Sequence, residues 1–198
     1  MSGSVPRHVT IIQGHPDAGQ PHFCHALADA YADGAIAGKH EVRRIEVPAL
    51  GLPVLTARED WENDATADSI RDSQRDIGWA DHLLIVYPLW LGGMPAMLKG
   101  FFEQVFRPGF ALPKGASPMG KKMLKGRSAR IVVTMGMPAL MYRWYFGAHS
   151  LKSLERNILG FCGIGPVRES LIGLVEAGGP RKHEHWLETM RDLGRRAR

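Results

Sequence analysis

The sequence predicts an α/β fold in three layers: a five-stranded parallel sheet, strand order 2-1-3-4-5, with helices on both faces. Three observations carry this. Short apolar runs alternate with segments of helical period along all 198 residues, and strict alternation of that kind implies a parallel sheet covered by helices. Most of the apolar runs are nearly continuous, as strands buried on both faces must be. The second run, EVRRIEV at Glu41–Val47, is instead rich in charge, which suits a sheet edge. With right-handed crossovers and the second strand outermost, 2-1-3-4-5 is the order that fits best.

The elements follow in order. His8–Gln13 (HVTIIQ) is a strand ending at Gly14. Gly14–Pro21 is a loop dense in Gly, Pro and Asp, and His22–Ala37 is a helix with Phe23, Leu27 and Ala30 on one face. After the Glu41–Val47 strand, residues 48–65 form a long connection without period, a type of loop that often carries function. Thr66–Trp79 is a sparse, mostly solvated helix held by Ile70 and Ile77. Asp81–Tyr87 is a buried strand and Pro88–Gly93 a turn with two adjacent glycines. Met94, Met97, Leu98, Phe101, Phe102 and Val105 then form one apolar helical stripe, with Pro95 near its first position. Residues 107–127 form a second long loop, rich in Gly, Pro and Lys. Ala129–Met135 is a strand, Ser150–Leu159 a helix stopping at Gly160, Val167–Val175 the last strand, and His183–Ala197 the terminal helix through Trp186, Met190 and Leu193.

Composition bounds the rest. The length suits one domain, residues 1–198, with a real core. Lys and Arg exceed Asp and Glu by 25 − 20 = 5, with no basic run interleaved with aromatics, so anionic small molecules are favoured over nucleic acid. Cys24 and Cys162 stand far apart without a CxxC pair, which argues against a zinc site and asks for no oxidising compartment. No apolar segment is long enough to span a membrane, and MSGSVPRH lacks the apolar core of a signal peptide. A cytoplasmic protein with no metal site and no membrane insertion is expected.

In such a sheet, ligands bind beyond the carboxyl ends of the strands, near the switch point. Three loops leave those ends. The first, GHPDAGQPHF, has neither GxGxxG nor GxxxxGK[ST]. It ends at a helix start, where free N–H groups favour a phosphate, and His15, Gln20 and His22 can add donors. The second sets Trp90 among Pro88, Leu89, Leu91, Gly92 and Gly93. It offers a flat apolar wall with backbone donors beside it; the alternative is that Trp90 packs in the core or at a subunit contact. The third, TMGMPALMYRWYFGAH, carries Thr134 and Gly136 as polar contacts, Tyr142, Tyr145 and His149 as proton donors or charge stabilisers, and Arg143 for an anion. Cys24 opens the first helix and reads as structural. Lys114, Lys121, Lys122, Lys125 and Arg127 form either a solvated face or an anchor for nucleotide phosphates. His183 and His185 read as solvated tail residues. A GxSxG elbow is missing, which disfavours a hydrolase.

On these residues the sequence resembles the flavodoxin-like NAD(P)H:quinone oxidoreductases. Pro88, Leu89 and Trp90, followed by Pro95, Leu98, Lys99, Gly100, Glu103 and Val105, fit the pattern PLW, turn, P-x-x-L-K-G-x-x-[ED]-x-V. His15 and Phe23 take the positions of the first flavin loop, Thr134, Met135 and Gly136 stand where that family has T-T-G-G, and Gly147–His149 lies where it has a Tyr/His pair over the flavin. The resemblance implies a flavodoxin-like fold and a flavin, FMN or FAD, held across the three loops. His15, Gln20, His22, Phe23, Cys24, Pro88, Leu89, Trp90, Leu91, Gly92, Thr134, Met135 and Gly136 would bind it, and His149 would act with Tyr142 or Tyr145. It further implies NAD(P)H as co-substrate, a quinone, azo or nitro acceptor at the same pocket, and a homodimer. Cys24, Met135 and Met137 depart from the family pattern. Two other readings share the fold: a flavin-binding regulatory subunit of a potassium-efflux transporter, and a one-electron carrier, which the basic charge disfavours.

Overall fold

The computed structural model describes residues 5–63, 67–115 and 122–198. Thr66 and Lys121, named above, lie outside the described residues. The elements are β1 His8–Gln13, α1 Phe23–Ala37, β2 Glu41–Glu46, α2 Arg58–Glu62, α3 Asp68–Trp79, β3 His82–Pro88, α4 Ala96–Val105, β4 Ser128–Thr134, α5 Ala139–Trp144, α6 His149–Lys152, α7 Gly160–Cys162, β5 Val167–Ile172 and α8 Gly179–Arg195. A 3-10 turn spans Val47–Leu50, and a π-helical stretch, Ser153–Leu159, joins α6 to α7.

All strand pairs are parallel, in the order β2-β1-β3-β4-β5. The register runs through Ile11 opposite Arg44 and Leu84, Ile85 opposite Ile131, and Val132 opposite Ser170. β3 lies at the centre and every residue of it is buried. Alternation divides the apolar side chains between two layers. Ile85, Tyr87 and Ile131 join Ile70 and Ile77 of α3, Phe101 of α4 and Leu154 on one face. Val9, Ile11, Leu84 and Val132 meet Leu27 and Tyr31 of α1 and Met190 of α8 on the other. Each fully buried aliphatic or aromatic side chain contributes roughly 1.5–3 kcal/mol, so the central strands are the anchor of the fold.

The charged second strand is an edge strand, and its charges are partnered. Arg43 Nη1 donates to Asp76 Oδ1 at 2.9 Å and stacks over Trp79 at 4.1 Å; Arg44 Nη1 reaches Asp29 Oδ1 at 2.5 Å. α1 and α8 touch closely enough that only glycine fits. A Cβ on Gly34 would lie 2.0 Å from the Arg191 carbonyl oxygen, and one on Gly194 2.1 Å from that of Tyr31.

Five features differ from the sequence reading. The connection after β2 contains the 3-10 turn and α2, and it is pinned by the end of α4: Gln104 Nε2 donates to the Pro53 carbonyl, and buried Arg107 to those of Asp60 and Asn63. α5 occupies what reads as loop. The helix expected to stop at Gly160 continues to Cys162 and ends at Gly163, whose φ of 103° admits no ordinary side chain comfortably. β5 ends at Ile172, because Gly173 passes against the start of α5, where a Cβ would sit 2.4 Å from the Ala139 nitrogen. α8 begins at Gly179, before its apolar stripe, with proline in its first turn.

Candidate functional site

The carboxyl ends of β1, β3 and β4 converge, and hydrogen bonds tie the three loops together. The Leu89 N–H donates to the Thr134 carbonyl at 2.8 Å, joining the second and third. Cys24 Sγ lies 3.1 Å from Thr134 Oγ1, joining the first and third. His15 meets Trp90 edge-on, ring centroids 6.1 Å apart, joining the first and second. Burial pushes the Cys24 thiol up to about 11, so it is a neutral partner for Thr134 and not a nucleophile.

The second loop is a tight turn. Trp90 and Gly93 exchange two backbone hydrogen bonds at 2.9 Å each, and Leu91 and Gly92 between them both have positive φ, 46° and 77°. That is the I′ pattern of a two-residue reversal. For leucine this conformation is strained, costing on the order of 1 kcal/mol or more, and the Leu91 side chain stands free of the protein surface. Trp90 is 50% exposed, which excludes the core-packing alternative. The N–H groups of Leu91 and Gly92 have no partner among the described residues, so an apolar face and open donors lie side by side.

The first loop holds a cluster of three imidazoles. His15 and His22 stack with centroids 3.8 Å apart, and His25 lies 5.4 Å from His15 and 5.8 Å from His22. Asp17 organises them: its Oδ2 meets His22 Nε2 at 2.8 Å, and its own N–H donates to His15 Nδ1 at 3.2 Å. His25 Nδ1 accepts the His22 N–H at 3.1 Å. Burial, then repulsion from His22, holds the His15 imidazole below its ordinary pKa; its hydrogen bond with His22 draws Asp17 below the usual carboxylate range. At the start of α1 the N–H groups of Phe23 and Cys24 are unpartnered among the described residues, and the first turn carries no acidic residue. Buried Gln13 accepts the His15 N–H at 3.0 Å, while its own Nε2 has no partner. Buried amide groups are almost always paired, and here the loops expose donors with nothing to receive them.

The third loop distributes its candidates unevenly. The Gly136 N–H is free among the described residues, but Met135 is buried and its N–H is taken by the Ile172 carbonyl at 2.9 Å. Tyr142 is buried: its hydroxyl lies 2.7 Å from Ser150 Oγ and accepts the Leu151 N–H at 3.3 Å, fastening α5 to α6. Tyr145 is 78% exposed and His149 is exposed too. Arg143, read as an anion contact, pairs with Glu169 of β5. Pro88 ends β3 inside the protein, whereas Gln20 is exposed on the first loop.

One alternative and one expectation do not hold: the basic loop as an anchor at the three-loop site, and His183 as a solvated residue. Of the basic loop, Arg127 donates to the Ile77 carbonyl at 3.1 Å and to that of Gly78, closing the end of α3, and Lys122 donates to the Gly160 carbonyl at 2.9 Å. Both precede β4, at the amino-terminal pole of the sheet, so they do not line the three-loop site. His183 is no solvated tail residue, since its ring lies tilted against Phe23 with centroids 4.4 Å apart and meets the Val175 carbonyl at 2.7 Å. Conversely, the sequence reading passes over Asp17 and His25. The signal was present: His22 and His25 stand three apart at a helix start, so they share a face.

A cavity of about 620 Å³ lies elsewhere, between α5–α6 and β5, lined by Arg143, Trp144, Arg156 and Glu169 among others. No residue of the first two loops lines it. No group of metal-ligating side chains is assembled among the described residues, and no helix there is long and apolar enough to cross a membrane.

Residues 7–194 match the family model described as flavodoxin-like fold. A human ribosyldihydronicotinamide dehydrogenase [quinone] is 32% identical over 118 residues, 55% of this chain and 48% of that protein. NAD(P)H dehydrogenase [quinone] 1 of Cavia porcellus is 31% identical over 147 residues, 70% of this chain and 52% of its own length. The chain therefore spans about half the length of these curated relatives. Among solved structures, an NAD(P)H:quinone oxidoreductase from Methanothermobacter marburgensis superposes with a TM-score of 0.79 at 22% identity, covering 96% of each chain; that likeness is one of fold.

Proposed function

Because the chain belongs to the flavodoxin-like family, and its relatives include a ribosyldihydronicotinamide dehydrogenase [quinone] and an NAD(P)H dehydrogenase [quinone], we propose that it is an NAD(P)H-dependent flavin oxidoreductase with a quinone or related acceptor. The observation that carries this reading is the convergence of three loops on Trp90, with open donors on each of them. The residues fit a flavin: a flat half-exposed indole, unpartnered N–H groups at Leu91, Gly92 and Gly136, and an anion-favouring helix start at Phe23 and Cys24. When bound, flavin supplies the chemistry, accepting a hydride from NAD(P)H and passing two electrons to the acceptor.

The remaining roles belong to the chain. Trp90 would wall one face of a bound flavin ring and exclude water from it. The Leu91, Gly92 and Gly136 N–H groups would hold the polar edge of a bound flavin and favour negative charge there. The first loop holds the phosphate, FMN being the simpler occupant and FAD the larger one. Tyr145 and His149, both exposed, hold or donate a proton toward the acceptor, while Tyr142 positions them by tying α5 to α6. Leu91 of the second loop and Leu140, Trp144, Tyr145 and Phe146 of the third are exposed large apolar side chains, of the kind that a partner surface covers. A second copy of the chain in a homodimer covers them and completes the open side of the slot. NAD(P)H and acceptor then use the slot in turn, which gives ping-pong kinetics. The transporter-subunit alternative draws no support from the fold or the relatives.

The test is direct. The purified protein is denatured, the released cofactor identified by chromatography, and turnover of a quinone compared with NADH and NADPH. Stoichiometric FMN or FAD with turnover supports the reading. A protein that neither carries nor takes up either flavin on reconstitution sinks it.

A further inference from the structure

Independently of the flavin reading, we propose that the amino-terminal pole of the sheet carries a second binding site, for a small tetrahedral oxyanion such as phosphate or sulfate, held between Arg7 and Arg168. The strand register sets it up. Ser128 lies opposite His82, and Arg130 lies opposite Arg168. Ser128 and Arg130 stand two apart on β4, so all four side chains leave the sheet on one face. That face is the one under α1 and α8: Val9, opposite His82, and Val132, two residues after Arg130, both belong to that layer. Arg7 arrives at the same place, where its Nη2 donates to Ser128 Oγ at 3.2 Å. A cavity of about 190 Å³ opens there, lined by Arg7, His82, Ser128, Arg168 and Arg198 among others, and Arg130 stands buried beside it.

The charge of this pole is not balanced. Arg7 donates to the carbonyls of Ala197 and Asp81, each at 3.1 Å, and Arg130 to those of Arg198 at 2.7 Å and Glu169 at 3.3 Å and to Ser170 Oγ at 2.8 Å. The Arg168 side chain has no hydrogen bond or ion pair among the described residues. The neighbouring carboxylates are turned elsewhere, Asp81 toward His8 and Glu169 toward Arg143. A carboxylate at Arg198 would set one negative charge against three guanidiniums and leave the excess positive. Like charges held side by side repel, and a buried arginine is ordinarily paired with an acid. His82 reports the same field. Ser128 Oγ already receives Arg7, so its own proton goes to His82 Nδ1, 2.8 Å away, and the ring proton sits on Nε2, which is buried without a partner. Burial, then Arg7, Arg130 and Arg168, keep that ring neutral. An orphaned donor beneath uncompensated guanidiniums is the complement of an anion. The cavity is smaller than the roughly 300–1,000 Å³ of pockets for drug-sized ligands, so the ion is small, and guanidinium forks match the paired oxygens of an oxyanion better than a halide.

The experiment titrates inorganic phosphate, and separately sulfate, into the purified full chain by calorimetry at about pH 7.5. Thermal unfolding is followed in each anion and in chloride at equal ionic strength, so that screening is matched. Phosphate and sulfate are expected to bind and to raise the melting temperature above its value in chloride, as a ligand of the folded state does. Arg168→Gln changes an exposed side chain without partners, so the variant folds. It is expected to weaken phosphate binding about tenfold, the worth of one charge-assisted hydrogen bond. In chloride it is at least as stable as the parent, because a like charge beside Arg130 is gone; in phosphate the parent is the more stable. Arg168→Lys, which keeps the charge and loses the fork, falls between the two. Arg75→Gln, an exposed cation of α3 paired with Asp72, leaves phosphate affinity unchanged. The start of α1, at the opposite pole, is a rival phosphate site, and Arg168→Gln separates the two. Failure of both anions to bind, unchanged phosphate affinity in Arg168→Gln, or an equal loss in Arg75→Gln overturns the proposal and leaves the flavin reading standing.

Discussion

Trp90 is held by a two-residue turn that forces Leu91 to a φ of 46°, and half of its surface is open. A large aromatic side chain in that position stabilises no core, so its removal is felt by the ligand. Trp90→Ala is expected to weaken flavin binding by tenfold or more, about 1.5 kcal/mol on the scale of aromatic contacts, with the melting temperature of the apoprotein nearly unchanged. Unaltered flavin affinity would assign Trp90 no part in the slot. His82, the first residue of β3, is a residue-scale liability of another kind. It is 1% exposed, its Nε2 has no partner, and burial pushes its pKa down to about 3. The folded state resists a proton that the unfolded chain takes near pH 6.5. The contribution is therefore whole above pH 6.5 and is lost as pH falls from there toward 3. Denaturant unfolding at pH 5 and pH 7.5 is expected to show a loss of roughly 2 kcal/mol from this group alone, absent in His82→Gln.

At the scale of elements, the central unit was legible. The apolar run before Pro88, the glycine turn and the i, i+3, i+4 stripe from Met94 to Val105 each satisfy a local rule that burial then enforces. α5 was not legible, because ALMYRW places Leu140, Met141 and Trp144 on an open surface, and a helix that buries only Tyr142 leaves no apolar stripe to read. The beginning of α8 was hidden for the same reason, RKHEH being polar throughout. The basic loop stayed open between a solvated face and an anchor because charge reveals affinity and not position: only the path of the chain shows that Lys122 and Arg127 lie at the far pole. In the candidate site, residue types could be read but not their pairing. Nothing in HPDAGQPHFCH says that Asp17 orders the imidazoles or that Cys24 turns toward Thr134. The α1–α8 contact also escaped notice, since it depends on the absence of side chains. Gly34→Ala places a methyl group 2.0 Å from a backbone oxygen and is expected to cost about 2 kcal/mol or more, read as a lower denaturant midpoint. A neutral outcome would mean that the two helices can separate at little cost.

At the scale of the molecule, the parallel sheet gathers the ends of β1, β3 and β4 on one side, where a strand-order switch leaves a crevice. Leu140, Trp144 and Tyr145, on and just after α5, are exposed, and the cavity of about 620 Å³ lies between α5–α6 and β5, apart from the first two loops. The proposed homodimer would cover these exposed side chains. Trp144→Glu is expected to shift the protein from dimer to monomer in sedimentation equilibrium and to lower turnover in step; a protein monomeric from the outset contradicts this assembly. The central claim is the flavin slot itself, and anaerobic titration of the flavin-reconstituted protein with NAD(P)H tests it most directly. The account predicts visible flavin absorption that is bleached by one equivalent of NAD(P)H per site and restored by a quinone. A protein that stays colourless in the presence of FMN or FAD, or whose bound flavin NAD(P)H does not reduce, contradicts it.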